Sequence, residues 1–144
     1  MRLFNQDTKV QALKSAPLFE GLSRAELVQL AKVSEDVEVP AGTVLCREGE
    51  AGREFFVIVD GQVEITRKGK RVAARGSGDF FGEIALLEET PRMATVTAKT
   101  PLRFFVLTRR DFRHLVDVNP RVERKVLRAL ARRVVELSSD PTIA

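Results

Sequence analysis

The sequence predicts an α+β fold: a sandwich or barrel of short strands with helices before and after it. Three observations carry this. Between about residues 36 and 107, apolar residues come in short runs broken by glycine turns, as in all-β sandwiches and barrels. Ahead of that zone, "SRAE" at Ser23 to Glu26 is the capping-box pattern of a helix N-terminus. Behind it, Val122, Val126, Ala129, Leu130, Val134 and Leu137 recur at helical spacing. The length of 144 residues fits one domain, and 44% hydrophobic with 31% charged residues describes a globular chain with a core.

The elements follow in order. Val10, Leu13 and Lys14 predict a short helix, and "PLFEGL" is a turn carrying two large apolar anchors, Leu18 and Phe19. The helix opened by Ser23 takes Leu27, Leu30, Ala31 and Val33 as its apolar stripe. "DVEV" alternates as a strand, "PAG" turns it, and "TVLCR" follows. "EGEAG" is a glycine turn and "EFFVIV" a buried strand. Asp60-Gly61 then reads as a two-residue hairpin into "QVEIT". "RKGK" turns the chain into "RVAA", and "RGSGD" is a loop. "ATVTA" and "LRFFVL" are strands separated by "KTP". "TRRD" at Thr108 to Asp111 is a second capping pattern. Asn119-Pro120 ends that helix and opens the last one, with Pro120 in the first turn, where a missing N–H costs nothing. "SSDPTIA" is a frayed tail.

Composition narrows the function. The single cysteine, Cys46, excludes an internal disulfide and reads as a small buried residue in a strand, which fits a reducing cytoplasm. The single histidine, His114, reads as a partly exposed helix residue. One His and one Cys far apart make no zinc site and leave no Ser-His-Asp or Cys-His catalytic set. No apolar run reaches the length that spans a bilayer, and "MRLFNQDTKV" lacks the apolar core of a secretory signal. Lys and Arg exceed Asp and Glu by 24 to 20, a surplus that permits anion binding.

The unusual stretch is "FFGEIALLEETPRMATV", residues 80–96. It does not alternate as a strand. Ile84 to Leu87 are helix formers after Gly82, so it reads as a helical turn inserted between two strands. It sets an acid, Glu83, and a base, Arg92, among apolar neighbours, where each needs a partner. Either the two form a structural salt bridge, or they await a ligand. A helical N-terminus presents unpaired N–H groups to an anion, and a glycine admits close approach. A guanidinium forks onto phosphate, and a carboxylate beside it accepts from a sugar hydroxyl. A phosphorylated sugar meets all of these terms.

"FGEIALL", followed by "PR" and, one residue on, "ATV", resembles the phosphate-binding cassette of cyclic nucleotide-binding domains, found in kinase regulatory subunits, nucleotide-gated channels and the catabolite activator protein. The resemblance extends to "PLFEGLS", "GREFFVIVDGQVEI" and "FRHLVDVNP", nearly the whole chain. It implies an eight-stranded β-roll, a jelly-roll-like barrel, with residues 1–34 as an N-terminal helical segment and 35–108 as the roll, its cassette at 80–96. Residues 109–139 would be hinge and lid helices and 140–144 a tail. Arg92 resembles the arginine that pairs with the cyclic phosphate, and Glu83 the acid that takes the ribose 2′-hydroxyl. Gly82, Ile84, Ala85 and Met93 stand where the family uses backbone atoms. Ala73 is placed on a base pocket, Arg133 where some members bring a helical arginine over the base, and Leu137 as an apolar lid. For Arg133 the other reading is a solvated basic face, and for Leu137 ordinary helix packing.

The resemblance thus implies a regulatory sensor, not an enzyme, that binds a cyclic nucleotide, needs no metal or other cofactor and signals by moving its last helix. Met93 lacks the hydroxyl that favours cGMP in this family, which tilts the expectation to cAMP. The effector would be another protein or a domain outside these residues. The last helix is also a candidate homodimer surface. The alternative is a degenerate domain used for docking or oligomerisation. A cupin-like enzyme shares the roll but wants more histidines. Direct nucleic-acid binding is not expected. The ten Lys and Arg between Arg103 and Arg133 have no aromatics on the last helix to stack bases, and no helix-turn-helix follows them before Ala144.

Overall fold

The computed structural model describes residues 6–137, with side chains for 7–135. Helix α1 (Gln6–Lys14), a 3-10 turn at Pro17–Phe19 and helix α2 (Arg24–Val33) precede the strands. One sheet has the order β1 (Glu35–Val39), β8 (Leu102–Thr108), β3 (Glu54–Asp60), β6 (Phe80–Phe81). The other has the order β2 (Val44–Cys46), β7 (Thr95–Ala98), β4 (Gln62–Arg67), β5 (Lys70–Gly76). All pairings are antiparallel. Helix α3 (Glu83–Glu88) lies between β6 and β7, and α4 (Arg109–Val118) and α5 (Pro120–Leu137) end the described chain.

The unbroken apolar run of β3 is explained by its two faces, because successive strand side chains point to opposite sides. Phe55 and Val57 join Phe105 and Leu107 of β8 in a core beneath the helices, against Phe19, Leu27, Phe112, Val122 and Val126. Phe56 and Ile58 join Phe104 and Val106 in a second core between the sheets, against Val63, Ile65 and Val96. Both capping patterns are made. Ser23 accepts from the Glu26 N–H while Glu26 accepts from the Ser23 N–H, and the Thr108 hydroxyl accepts from the Asp111 N–H.

Four details depart from the sequence reading. Asp60-Gly61 does not close a hairpin, because β3 and β4 belong to different sheets. Gly61, at φ 108°, is a corner between them. A Cβ there would stand 2.4 Å from the Pro101 carbonyl, and Gln62 bonds to Lys99 and Thr100 of the opposite turn. β3 pairs with β8 and β6 instead, which makes it an inner strand of its sheet. The hairpin lies one turn later, at Lys68-Gly69, both with positive φ, joining β4 to β5. Strand β6 has no alternation to betray it, being two residues long. Val33 and Val134 are 46% and 50% exposed, so they leave their stripes. On α5 the inward seam is Val122, Val126, Ala129 and then Arg133.

Candidate functional site

Arg92 is placed by its own backbone. Its N–H donates to the Glu50 carbonyl and its carbonyl accepts from the Gly49 N–H, each at 2.8 Å, while Pro91 bridges to Ala51. The guanidinium is thereby turned inward. Nη1 donates to the Gly82 carbonyl at 2.9 Å and Nη2 to the Glu54 carbonyl at 2.7 Å. It lies 5.8 Å from the centre of the Phe56 ring, which stacks on Phe81. Two glycines clear its path. A Cβ on Gly82 would come within 2.8 Å of Nη1, and one on Gly52 within 2.7 Å of Nε. Gly82 also takes φ 96° to begin α3, a conformation that disfavours any other residue. A guanidinium has five N–H donors, so two carbonyl bonds orient Arg92 and leave donors for another acceptor.

Glu83 is the first residue of α3 and only 2% exposed. Its partner is not Arg92. Arg133 reaches down from α5, with Nη1 on Glu83 Oε1 at 2.5 Å and Nη2 on the Phe80 carbonyl. Its guanidinium lies over the Phe80 ring, 4.4 Å from the centroid. Arg133 is 8% exposed, which rules out the solvated-face reading. The salt bridge weighed between Glu83 and Arg92 is absent, because each side chain is held by a different element.

A hollow of about 580 Å³, counting its open mouth, lies beside these groups. Gly82, Glu83, Ile84, Ala85, Arg92 and Met93 line it, as do Ala73 and Arg133, so the structure gathers all the candidate positions whose side chains are described. The side chain of Leu137 lies outside the described residues. The floor was not foreseen. Ala73, Ile65, Val96 and Cys46 stand opposite one another in register across β5, β4, β7 and β2, forming one row of small and branched side chains. Sequence alternation marks Ile65 and Val96 as inward, but register alone aligns them. Cys46 is buried as anticipated, and burial pushes its thiol up to about 11 despite the neighbouring Arg92 cation. Arg75, two residues beyond Ala73, is a further wall residue that sequence reasoning missed. His114 is exposed on α4. Among the described residues no group of three His, Cys, Asp or Glu side chains is placed to hold a metal ion, and no helix is long and apolar enough to cross a membrane.

A short helix between strands, an inward arginine and an acid on one hollow of a two-sheet roll mark a nucleotide-binding class of domain. The chain belongs to the cyclic nucleotide-binding domain family, whose sequence profile matches residues 36–119. It is 38% identical over 124 residues to a cyclic nucleotide-gated potassium channel of Rhizobium etli, covering 85% of this chain and 35% of the channel. It is 42% identical over 106 residues to a cAMP-dependent protein kinase regulatory subunit of Yarrowia lipolytica, covering 72% and 28% respectively. Among solved structures it is similar to cAMP-bound PfPKA-R (141–441), with a TM-score of 0.84 and 26% identity, over 92% of this chain and 46% of that one. The chain thus spans about a third of the length of these curated relatives.

Proposed function

We propose that this domain is a sensor that binds cAMP in preference to cGMP and reports occupancy through α5. The observation that carries this is the separation of Glu83 from Arg92: both are buried, both face one hollow, and neither neutralises the other. Arg92, oriented by two carbonyls, offers its remaining donors to the cyclic phosphate. Glu83 offers its carboxylate to the ribose 2′-hydroxyl. The backbone from Gly82 to Ala85 and at Met93 completes the wall, and Met93 brings a thioether where a hydroxyl would favour guanine. The cAMP bound in a structural relative supports the ligand class.

Signalling follows from the Arg133–Glu83 bond. The group that takes the ribose is the group that anchors α5. A ligand that changes the Glu83 contacts therefore changes how α5 sits on the roll. It does so only to the extent that it binds one α5 position better than the other. The effector, in a partner protein or a further domain, reads that position. Titration calorimetry with cAMP and cGMP tests the reading. We expect measurable binding of both, tighter for cAMP, and a loss of about 2–4 kcal/mol, tens to hundreds of fold, in Arg92→Ala. Unchanged affinity in that variant removes Arg92 from the site. No binding by the native chain favours the docking-module alternative.

A further inference from the structure

Helix α5 buries one seam against the roll, Val122, Val126, Ala129 and Arg133, and leaves its opposite side uncovered. That side is not the wholly polar face usual for a surface helix. Leu127, Val134 and Val135 are each at least half exposed on it. At about 3.6 residues per turn, Leu127, Ala131 and Val134 form one line along the helix. Arg124, Arg128 and Arg132 form a second line beside it, about 12 Å long, with Val135 among them.

Two neighbouring cations of α5 are engaged inside the domain. Lys125 donates to the Pro17 and Glu20 carbonyls, and Arg121 packs against Gly21. Arg124, Arg128 and Arg132 are exposed and make no hydrogen bond or ion pair among the described residues. The one acid among the described side chains of α5, Glu123, lies across the apolar line from them. An occupant of this surface has to supply anions for three guanidiniums and an apolar boundary for three aliphatic side chains. Nucleic acid supplies the anions alone. A second copy of the chain supplies apolar surface and the same excess of arginine. Protein interfaces centre on aromatic anchors with little charge in their core, and α5 has no aromatic residue. The headgroup boundary of an anionic bilayer supplies both needs, and its mobile lipids require no fixed pairing geometry.

We propose that α5 lies with this side on an anionic membrane surface. Leu127, Val134 and Val135 enter the headgroup boundary, while Arg124, Arg128 and Arg132 keep their stems along it and take lipid phosphates with their guanidiniums. The helix rests on the bilayer and does not cross it. The proposal goes beyond the cyclic-nucleotide reading and draws on no side chain of the hollow, so the two stand or fall separately.

Vesicle flotation of the whole chain tests it, with vesicles of equal parts phosphatidylglycerol and phosphatidylcholine set against phosphatidylcholine alone. Native protein should bind the anionic vesicles at least about tenfold more tightly, and added salt should weaken that binding. Replacing Arg124, Arg128 and Arg132 together by Gln should lose about a hundredfold, or about fivefold for each charge. Replacing Leu127 and Val135 together by Ser should lose about tenfold while all the charges remain. Equal binding to the two kinds of vesicle, or none to either, overturns the proposal. So does a Leu127→Ser, Val135→Ser protein that binds as the native one does, since the contact is then charge alone. Duplex DNA bound as tightly as the anionic vesicles makes the face a site for any polyanion and overturns it too. A stable dimer by light scattering that the same serine changes dissolve assigns the face to a second copy, with the same consequence. Should the variants not fold, as judged by circular dichroism, the native comparison of the two vesicles and DNA decides alone.

Discussion

Removing Arg133 tests the link between pocket and helix. The guanidinium makes a charge-assisted bond to Glu83, a bond to the Phe80 carbonyl and a face contact with the Phe80 ring. The side chains of Arg133 and Glu83 are 10% and 2% exposed, so solvent screens their attraction weakly. Breaking a buried pair by deleting one partner costs about 3–5 kcal/mol, because the remaining charge is left without compensation. Arg133→Ala should sit in that range, since the lost carbonyl bond and ring contact add about 1 kcal/mol each while water entering from the open mouth offsets part of the Glu83 penalty. Glu83→Ala should cost about 3 kcal/mol by the same reasoning. The double variant should then fall short of the sum of the two by about 2–3 kcal/mol. The chain has no tryptophan or tyrosine, so urea unfolding is followed by far-ultraviolet circular dichroism. Losses that add to within about 0.5 kcal/mol would refute the coupling, and with it the proposed route from ribose to α5.

Other outcomes follow from the same geometry. Glu83→Ala should weaken cAMP more than 2′-deoxy-cAMP, and equal losses in calorimetry would remove Glu83 from the ribose. Burial holds the folded thiol of Cys46 at about 11, against 9.0 for a free one. A raised folded value keeps its contribution whole below pH 9 and loses it as pH climbs toward 11, by at most about 3 kcal/mol. Urea midpoints of the native chain and Cys46→Ala should therefore converge over that window; a parallel offset throughout contradicts it. Gly52→Ala would bring a methyl group to 2.5 Å from the Ala85 Cβ and 2.7 Å from Arg92 Nε, so melting temperature and cAMP affinity should fall together. Gly42→Ala, at a turn where nothing lies within 4 Å of the added methyl, should lower stability through its φ of 91° and leave affinity unchanged.

What was legible in the chain was local. Helix starts at Ser23 and Thr108 could be read because a cap and its partner lie three residues apart. The β4–β5 turn could be read because Lys68-Gly69 must take positive φ. Glu83 and Arg92 stood out because buried charge is costly wherever it occurs. Asp60-Gly61 misled for the same local reason: its turn chemistry is right, but which strands a turn joins depends on partners far along the chain, here β8 and β6 for β3.

By itself, then, the sequence determined the zones, most of the turns and of the core residues, and the pair of charges that needed partners. Only the tertiary structure decided who those partners are. It brought Arg133 across 50 residues to Glu83, gave Arg92 the carbonyls of Gly82 and Glu54, and aligned Ala73, Ile65, Val96 and Cys46 as one floor. The reason is physical. Capping and turn preferences act between neighbours in the chain, whereas strand register and the burial of a charge are settled by whichever distant groups share the same interior.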